Sequence, residues 1–113
     1  MNIQIFGTKK SSDARKAERW FKERRIRFQY IDLAEKSISK GELRSVAQAV
    51  GGIAALIDEK AKDAYAVSLV QHTPAAMLED VLLENQRVLR MPIVRNGRQA
   101  TVGYAPDVWK MWE

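Results

Sequence analysis

Residues 2–33 constrain the fold more than any other stretch. Asn2-Ile3-Gln4-Ile5-Phe6 alternates polar and apolar side chains, the period of a half-buried strand. Gly7 ends it, and Ser11, Ser12 and Asp13 offer three N-caps for a following helix. Ala14, Ala17 and Phe21 recur at i, i+3 and i+7, so they form the inward stripe of that helix, with Trp20 at its border. Alanine at two contact positions lets the helix approach its sheet closely. Arg27-Phe28-Gln29-Tyr30-Ile31-Asp32-Leu33 alternates again and reads as a second strand. Strand, helix and strand make a βαβ unit, whose two strands are expected to be parallel.

The remaining signals order the rest of the chain. Ser39-Lys40-Gly41-Glu42 is a capping box opening a helix through about Val50, which Gly51-Gly52 stops. Residues 53–70 read as broken helix, with Leu56, Ile57, Tyr65 and Leu69 apolar. Thr73-Pro74 is an N-cap and first-turn pair for a helix to about Gln86, with Met77, Leu78, Val81 and Leu82 inward. Pro92–Arg95, the Asn96-Gly97 turn and Arg98–Val102 predict a hairpin. Pro106-Asp107 opens a last short helix carrying Val108, Trp109 and Trp112.

The order β-α-β, a helical insertion over about 39–87, then β-β-α predicts an α/β domain of the thioredoxin-like kind, with a mixed four-stranded sheet. A chain of 113 residues suits one such domain, spanning 1–113. In that fold the proline before the third strand is usually cis and faces the first helix's N-terminus, so Met91–Pro92 is expected to be cis.

Composition removes several chemistries. There is no cysteine, hence no disulfide, no thiolate metal site and no thiol nucleophile. His72 is the single histidine, and it lies in an expected surface turn rather than beside a nucleophile. The carboxylates show no metal-ligand spacing, so no metal site is expected. No run approaches the ~18 apolar residues of a membrane span, and the N-terminal residues lack a signal-peptide layout, so a cytoplasmic protein is expected.

Charge is uneven. Residues 1–27 hold nine Lys/Arg against Asp13, Glu18 and Glu23, whereas the rest holds ten against eleven. Such a basic face attracts an acidic protein, a small anion or nucleic acid. The absence of interleaved aromatics or of a nucleic-acid motif makes nucleic acid the least supported of these.

The sequence resembles the arsenate reductase family of the ArsC/Spx type. Phe6-Gly7 and Arg15-Lys16-Ala17 match the family's motif after the first strand. Leu56-Ile57-Asp58-Glu59-Lys60 is similar to its L-I-N-T-R segment, and Leu89-Arg90-Met91-Pro92-Ile93-Val94 to its L-x-R-P-I-V. Gly103-Tyr104 with Pro106-Asp107 is similar to its closing motif. The resemblance implies a nucleophilic cysteine where this chain has Ser11, and a second cysteine of some members where it has Ala14. It implies oxyanion-binding arginines where Lys60 and Met91 stand, with Arg90 adjacent, and a third near Gly103 that is missing.

Serine cannot replace the thiolate, because it lacks the redox cycle and its alkoxide is inaccessible near pH 7. What remains is a helix N-terminus whose free amides favour an anion, supplemented by Lys9, Lys10, Ser12, Arg15 and Lys60, with Lys16, Arg90 and Pro92 nearby. Three functions follow. The first is a redox-inactive protein-interaction or regulatory module. The Spx resemblance implies the transcription machinery as its partner, with Gly52 at the place of a glycine contacting the RNA polymerase α subunit. The second is an arsenate reductase-type oxidoreductase whose catalytic cysteine is Ser11 in this chain, implying glutathione or another thiol donor, glutaredoxin-linked. The third is a small-oxyanion or glutathione-like binder without turnover. The first is the expected one.

Overall fold

The structure, a computed structural model, describes residues 1–112. Four strands, β1 (Ile3–Gly7), β2 (Phe28–Asp32), β3 (Ile93–Asn96) and β4 (Gln99–Val102), form one sheet in the order β2-β1-β3-β4. β1 and β2 are parallel, and β3 is antiparallel to both β1 and β4. The helices are α1 (Ser12–Glu23), α2 (Lys40–Ala49), α3 (Ala64–Gln71), α4 (Ala75–Glu84) and α5 (Pro106–Trp109). This is the α/β, thioredoxin-like arrangement with a mixed four-stranded sheet that the sequence predicts, and the Met91–Pro92 peptide is cis as expected.

The sheet separates two apolar cores, and the two-residue period of β1 divides its side chains between them. Ile3 and Ile5 join Ala17, Trp20, Phe21, Val94, Trp109 and Trp112. Phe6 joins Leu43, Val46, Leu56, Val70, Leu82 and Ile93 on the helical-insertion side. β1 is therefore covered on both faces at its C-terminal end, rather than half-buried throughout. Trp109 also donates its indole N–H to the Thr101 hydroxyl at 2.7 Å, tying α5 to β4 inside the core.

The capping box of α2 forms completely: the Ser39 hydroxyl accepts from the Glu42 amide, and the Glu42 carboxylate accepts from the Ser39 amide. The Arg44 Nε–H then donates to both oxygens of the Glu79 carboxylate, at 3.1 and 2.9 Å, joining α2 to α4. That hydrogen-bonded pairing holds the Glu79 carboxyl below the usual carboxylate range.

Several boundaries differ from the sequence expectations. Pro74 is itself the N-cap of α4, and the Thr73 hydroxyl donates back to the Leu69 carbonyl at 2.6 Å. Thr73 therefore closes α3 instead of opening α4. Met77 is 58% exposed, because the buried side of the short α4 centres on Leu82. The hairpin ladder pairs Asn96 with Gln99, so its two-residue loop is Gly97-Arg98. Glycine in the first central position suits a type II′ turn, and the loop shifts by one residue from Asn-Gly. Val108 is exposed while Trp109 and Trp112 are buried.

Candidate functional site

The turn between β1 and α1 is built by close approach. Gly7 is fully inside, and a Cβ there would meet the Ala14 Cβ at 2.7 Å and the Tyr30 Oη at 3.2 Å. A bare backbone at residue 7 and a methyl at residue 14 let the helix start directly over the strand end. The chain turns with the Ser11 amide donating to the Thr8 carbonyl at 3.1 Å. The Ser11 hydroxyl then accepts from the Ala14 amide at 3.1 Å, making Ser11 the N-cap out of the three candidates. The amides of Ser12 and Asp13 lie in the first turn, where the helix supplies no acceptor.

An open groove of about 1090 Å³ lies against this helix start. Lys9, Lys10, Ser11, Ser12 and Lys60 all line it, so the structure brings together five residues singled out in the sequence. The remaining walls come from the loop after β2 (Asp32–Glu35), the segment 58–63, and Gln86, Arg87, Leu89 and Met91. The Thr8 hydroxyl donates to the Met91 sulfur at 3.6 Å, placing a thioether where the family resemblance implies an arginine.

Other predicted residues stand apart. Arg15 and Lys16 do not line the groove. The Arg15 guanidinium donates to the Lys9 carbonyl and so braces the loop from outside, and Lys16 sits 4.0 Å from the Asp13 carboxylate. Arg90 is exposed and does not line the groove where Met91 stands; its guanidinium lies by Gly103, 3.6 Å from where a Cβ would be, beside the position where the resemblance implies the third arginine. Pro92 is buried behind Met91 in sequence. Gly52 follows α2, its amide donating to the Ala47 carbonyl at 2.8 Å, and its Cα faces open space. His72 caps the end of α3, Nδ1 lying 2.8 Å from the Ser68 carbonyl, away from the groove.

The sequence reading missed the acidic half of the site. Asp13, Asp32, Glu35, Asp58 and Asp63 line the groove beside Lys9, Lys10, Lys60, Lys62 and Arg87, five carboxylates to five cations. Asp63 and Arg87 are paired at 2.8 Å. The carboxylates come from three separate segments, so no run in the sequence advertises them. Among the described residues, no group of three or more His, Cys, Asp or Glu is arranged to hold a metal ion, and no helix is long and apolar enough to cross a membrane.

Tyr30 is the one perturbed titrating group near the helix start. Burial pushes its phenol above the usual value, the Glu18 and Asp32 carboxylates add to this, and Arg15 opposes it.

Comparison with known proteins places these features. The global transcriptional regulator Spx 2 of Oceanobacillus iheyensis is 28% identical over 109 residues, covering 95% of this chain and 80% of that protein. The arsenate reductase from Vibrio cholerae superposes with a TM-score of 0.83 at 24% identity, over 99% of this chain and 98% of that one. An arsenate reductase (ArsC) related protein from Brucella melitensis superposes with a TM-score of 0.66 at 17% identity, over 99% and 94%. The sequence pattern of the ArsC family matches residues 6–111, nearly the whole chain. With its strand order, helix start and cis-proline all in place around a serine, the chain belongs to the ArsC family.

Proposed function

We propose that this protein is a redox-inactive ArsC family member that acts by binding a protein partner in the cytoplasm, with the transcription machinery as the partner class. The observation that carries the reading is Ser11. It occupies the helix start where the family resemblance implies the nucleophile, its oxygen is engaged as the N-cap of α1, and the 113 residues contain no thiol. Arsenate reduction of that kind needs a protein thiolate to attack arsenic before a second thiol such as glutathione can act, and this chain supplies no such thiolate. Glutathione belongs to the reductase reading and has no role in this one. The similarity to a transcriptional regulator, 28% identical, supports the choice of partner. The five carboxylates that line the groove beside its five cations weigh against a simple oxyanion trap, since they oppose the attraction of an anion.

Two measurements test the proposal. Arsenate incubated with the protein, glutathione and glutaredoxin should yield no arsenite above a protein-free blank, and measurable arsenite would overturn redox inactivity. Immobilised protein should capture purified bacterial RNA polymerase. Capture should weaken when Arg15 and Lys16 are both changed to glutamate, and as salt shortens the Debye length from about 10 Å at 0.1 M to about 3 Å at 1 M. Absence of capture at low salt would overturn the partner class.

A further inference from the structure

A second, smaller concavity of about 440 Å³ lies where α1 turns into β2, lined by Lys22, Arg25, Ile26, Arg27 and Phe28. Its three charged lining residues are all cations. Among the described residues none of them is ion-paired, although Glu18 and Glu23 are on the same helix. The positive side chains here thus have no acidic side-chain partner and face only the negative end of the α1 dipole, roughly 16 Å along the helix axis from the charge-balanced groove.

Two neighbouring cations have ordinary structural roles. Lys22 lies in the last turn, where it complements the helix dipole. Arg24 lies over the Trp20 ring, 4.1 Å from its centroid, and donates to the Trp20 carbonyl at 3.0 Å. These roles leave Arg25 and Arg27 unexplained. Arg25 has φ 57, the only non-glycine residue with positive φ among those described. It ends α1 in a Schellman motif, with Ile26 N–H donating to Phe21 C=O at 3.0 Å and Arg25 N–H to Lys22 C=O at 3.1 Å. The end of α2 makes the corresponding outer bond, Gly52 N–H to Ala47 C=O at 2.8 Å, and there the left-handed position is Gly51, φ 91. One helix end uses glycine; the other holds an arginine in a strained conformation at the rim of a cationic concavity. Its floor is apolar: Ile26 and Phe28 are half-buried, and Phe28 packs on Phe21 with ring centroids 6.4 Å apart.

We propose that this corner binds a phosphate monoester carrying an apolar or aromatic body. Arg25 and Arg27 take the phosphate oxygens through their planar forks, Lys22 adds a point charge, and the body lies on Ile26 and Phe28. The site is distinct from the groove, and the proposal does not depend on how the groove is used.

The test is titration of phenyl phosphate into the 15N-labelled protein at constant ionic strength, followed by amide shifts. Shifts should concentrate at residues 22–28, and phenyl phosphate should bind more tightly than inorganic phosphate. Arg27→Gln should weaken binding by about tenfold, the loss of one charge-assisted fork. Arg25→Gly should weaken it similarly without unfolding, because glycine accepts this backbone conformation. Arg19→Gln, which removes a charge elsewhere on the helix, should change little. Shifts confined to Ser11–Asp13, equal losses in all three variants, or equal affinity for phenyl and inorganic phosphate would each overturn the proposal.

Discussion

Gly7 and Ala14 meet so closely that a Cβ on Gly7 would lie 2.7 Å from the Ala14 Cβ, well inside contact distance. Neither atom is the end of a flexible chain, so relief requires moving α1 off β1. Gly7→Ala should destabilise the fold by about 1–3 kcal/mol, the usual cost of overpacking. Urea unfolding should show a lower midpoint at unchanged slope. The same contact bears on residue 14, where the family resemblance implies a second cysteine. Ala14 is fully buried against Gly7, so a larger side chain there would overpack in the same way.

The hydrogen bond between Trp109 and Thr101 gives a second prediction. Trp109 is 2% exposed and its indole N–H has the Thr101 hydroxyl as acceptor. Thr101→Val keeps the shape and removes the acceptor, leaving a buried donor unpaired. The expected loss is about 1–3 kcal/mol. Thr101→Ser keeps the acceptor and should recover most of it, which thermal unfolding of the two variants would compare.

Much of this architecture is legible in the sequence because it is local. Alternation in 2–6, the stripe Ala14, Ala17 and Phe21, and the Ser39–Glu42 box each involve residues a few positions apart, and each forms the element its pattern predicts, although β1 is buried on both faces at its end. The charge of the groove is not legible, because its carboxylates arrive from segments separated by tens of residues and meet only after the sheet assembles. Arg90 illustrates the same limit. One residue of offset along an extended segment sends a side chain to the other side, so Met91 enters the groove while the arginine beside it lies near Gly103. The short insertion helices are hardest to read: Thr73 can cap either neighbour, and it serves the one before it.

Tyr30 should report the packing of α1 on the sheet through its titration. Burial raises its pKa above the ordinary value of 10.0, with Glu18 and Asp32 acting in the same direction. In the unfolded chain the phenol ionises near that ordinary value, while in the folded protein it holds its proton to higher pH. The stability linked to this shift is therefore fully present below about pH 10 and is lost as pH rises through the folded pKa. The absorbance titration at 295 nm of the parent minus that of Tyr30→Phe should show one phenol with a midpoint above 10. A midpoint at or below 10 would contradict the packing of this ring between α1 and the sheet.

Ser11→Cys tests whether the helix start retains the electrostatics of a thiolate site. Residue 11 is the N-cap of α1, so a sulfur there lies at the positive end of the helix dipole. Lys9 and Lys10 precede it, and Lys60 lines the same groove. Asp13 and Asp32 line that groove too and act against a thiolate, so the midpoint measures which set dominates. Asp13 is as near in sequence as Lys9, but the first-turn amides and Lys10 add to the positive side, and together they should win. A free thiol has a pKa of about 8.5, and helix N-termini beside cations lower it to roughly 3.5–7.5. Sulfur is a weaker acceptor than the hydroxyl, so the cap should lose on the order of 1 kcal/mol. Ser11→Ala loses the cap without gaining a thiol and serves as the stability reference. The measurement is the rate of iodoacetamide alkylation of the folded Ser11→Cys protein against pH. A midpoint below about 7.5 is expected. A midpoint near 8.5, or no reaction in the folded state, would mean that the groove carboxylates cancel the helix field and that Ser11 is a cap and nothing more.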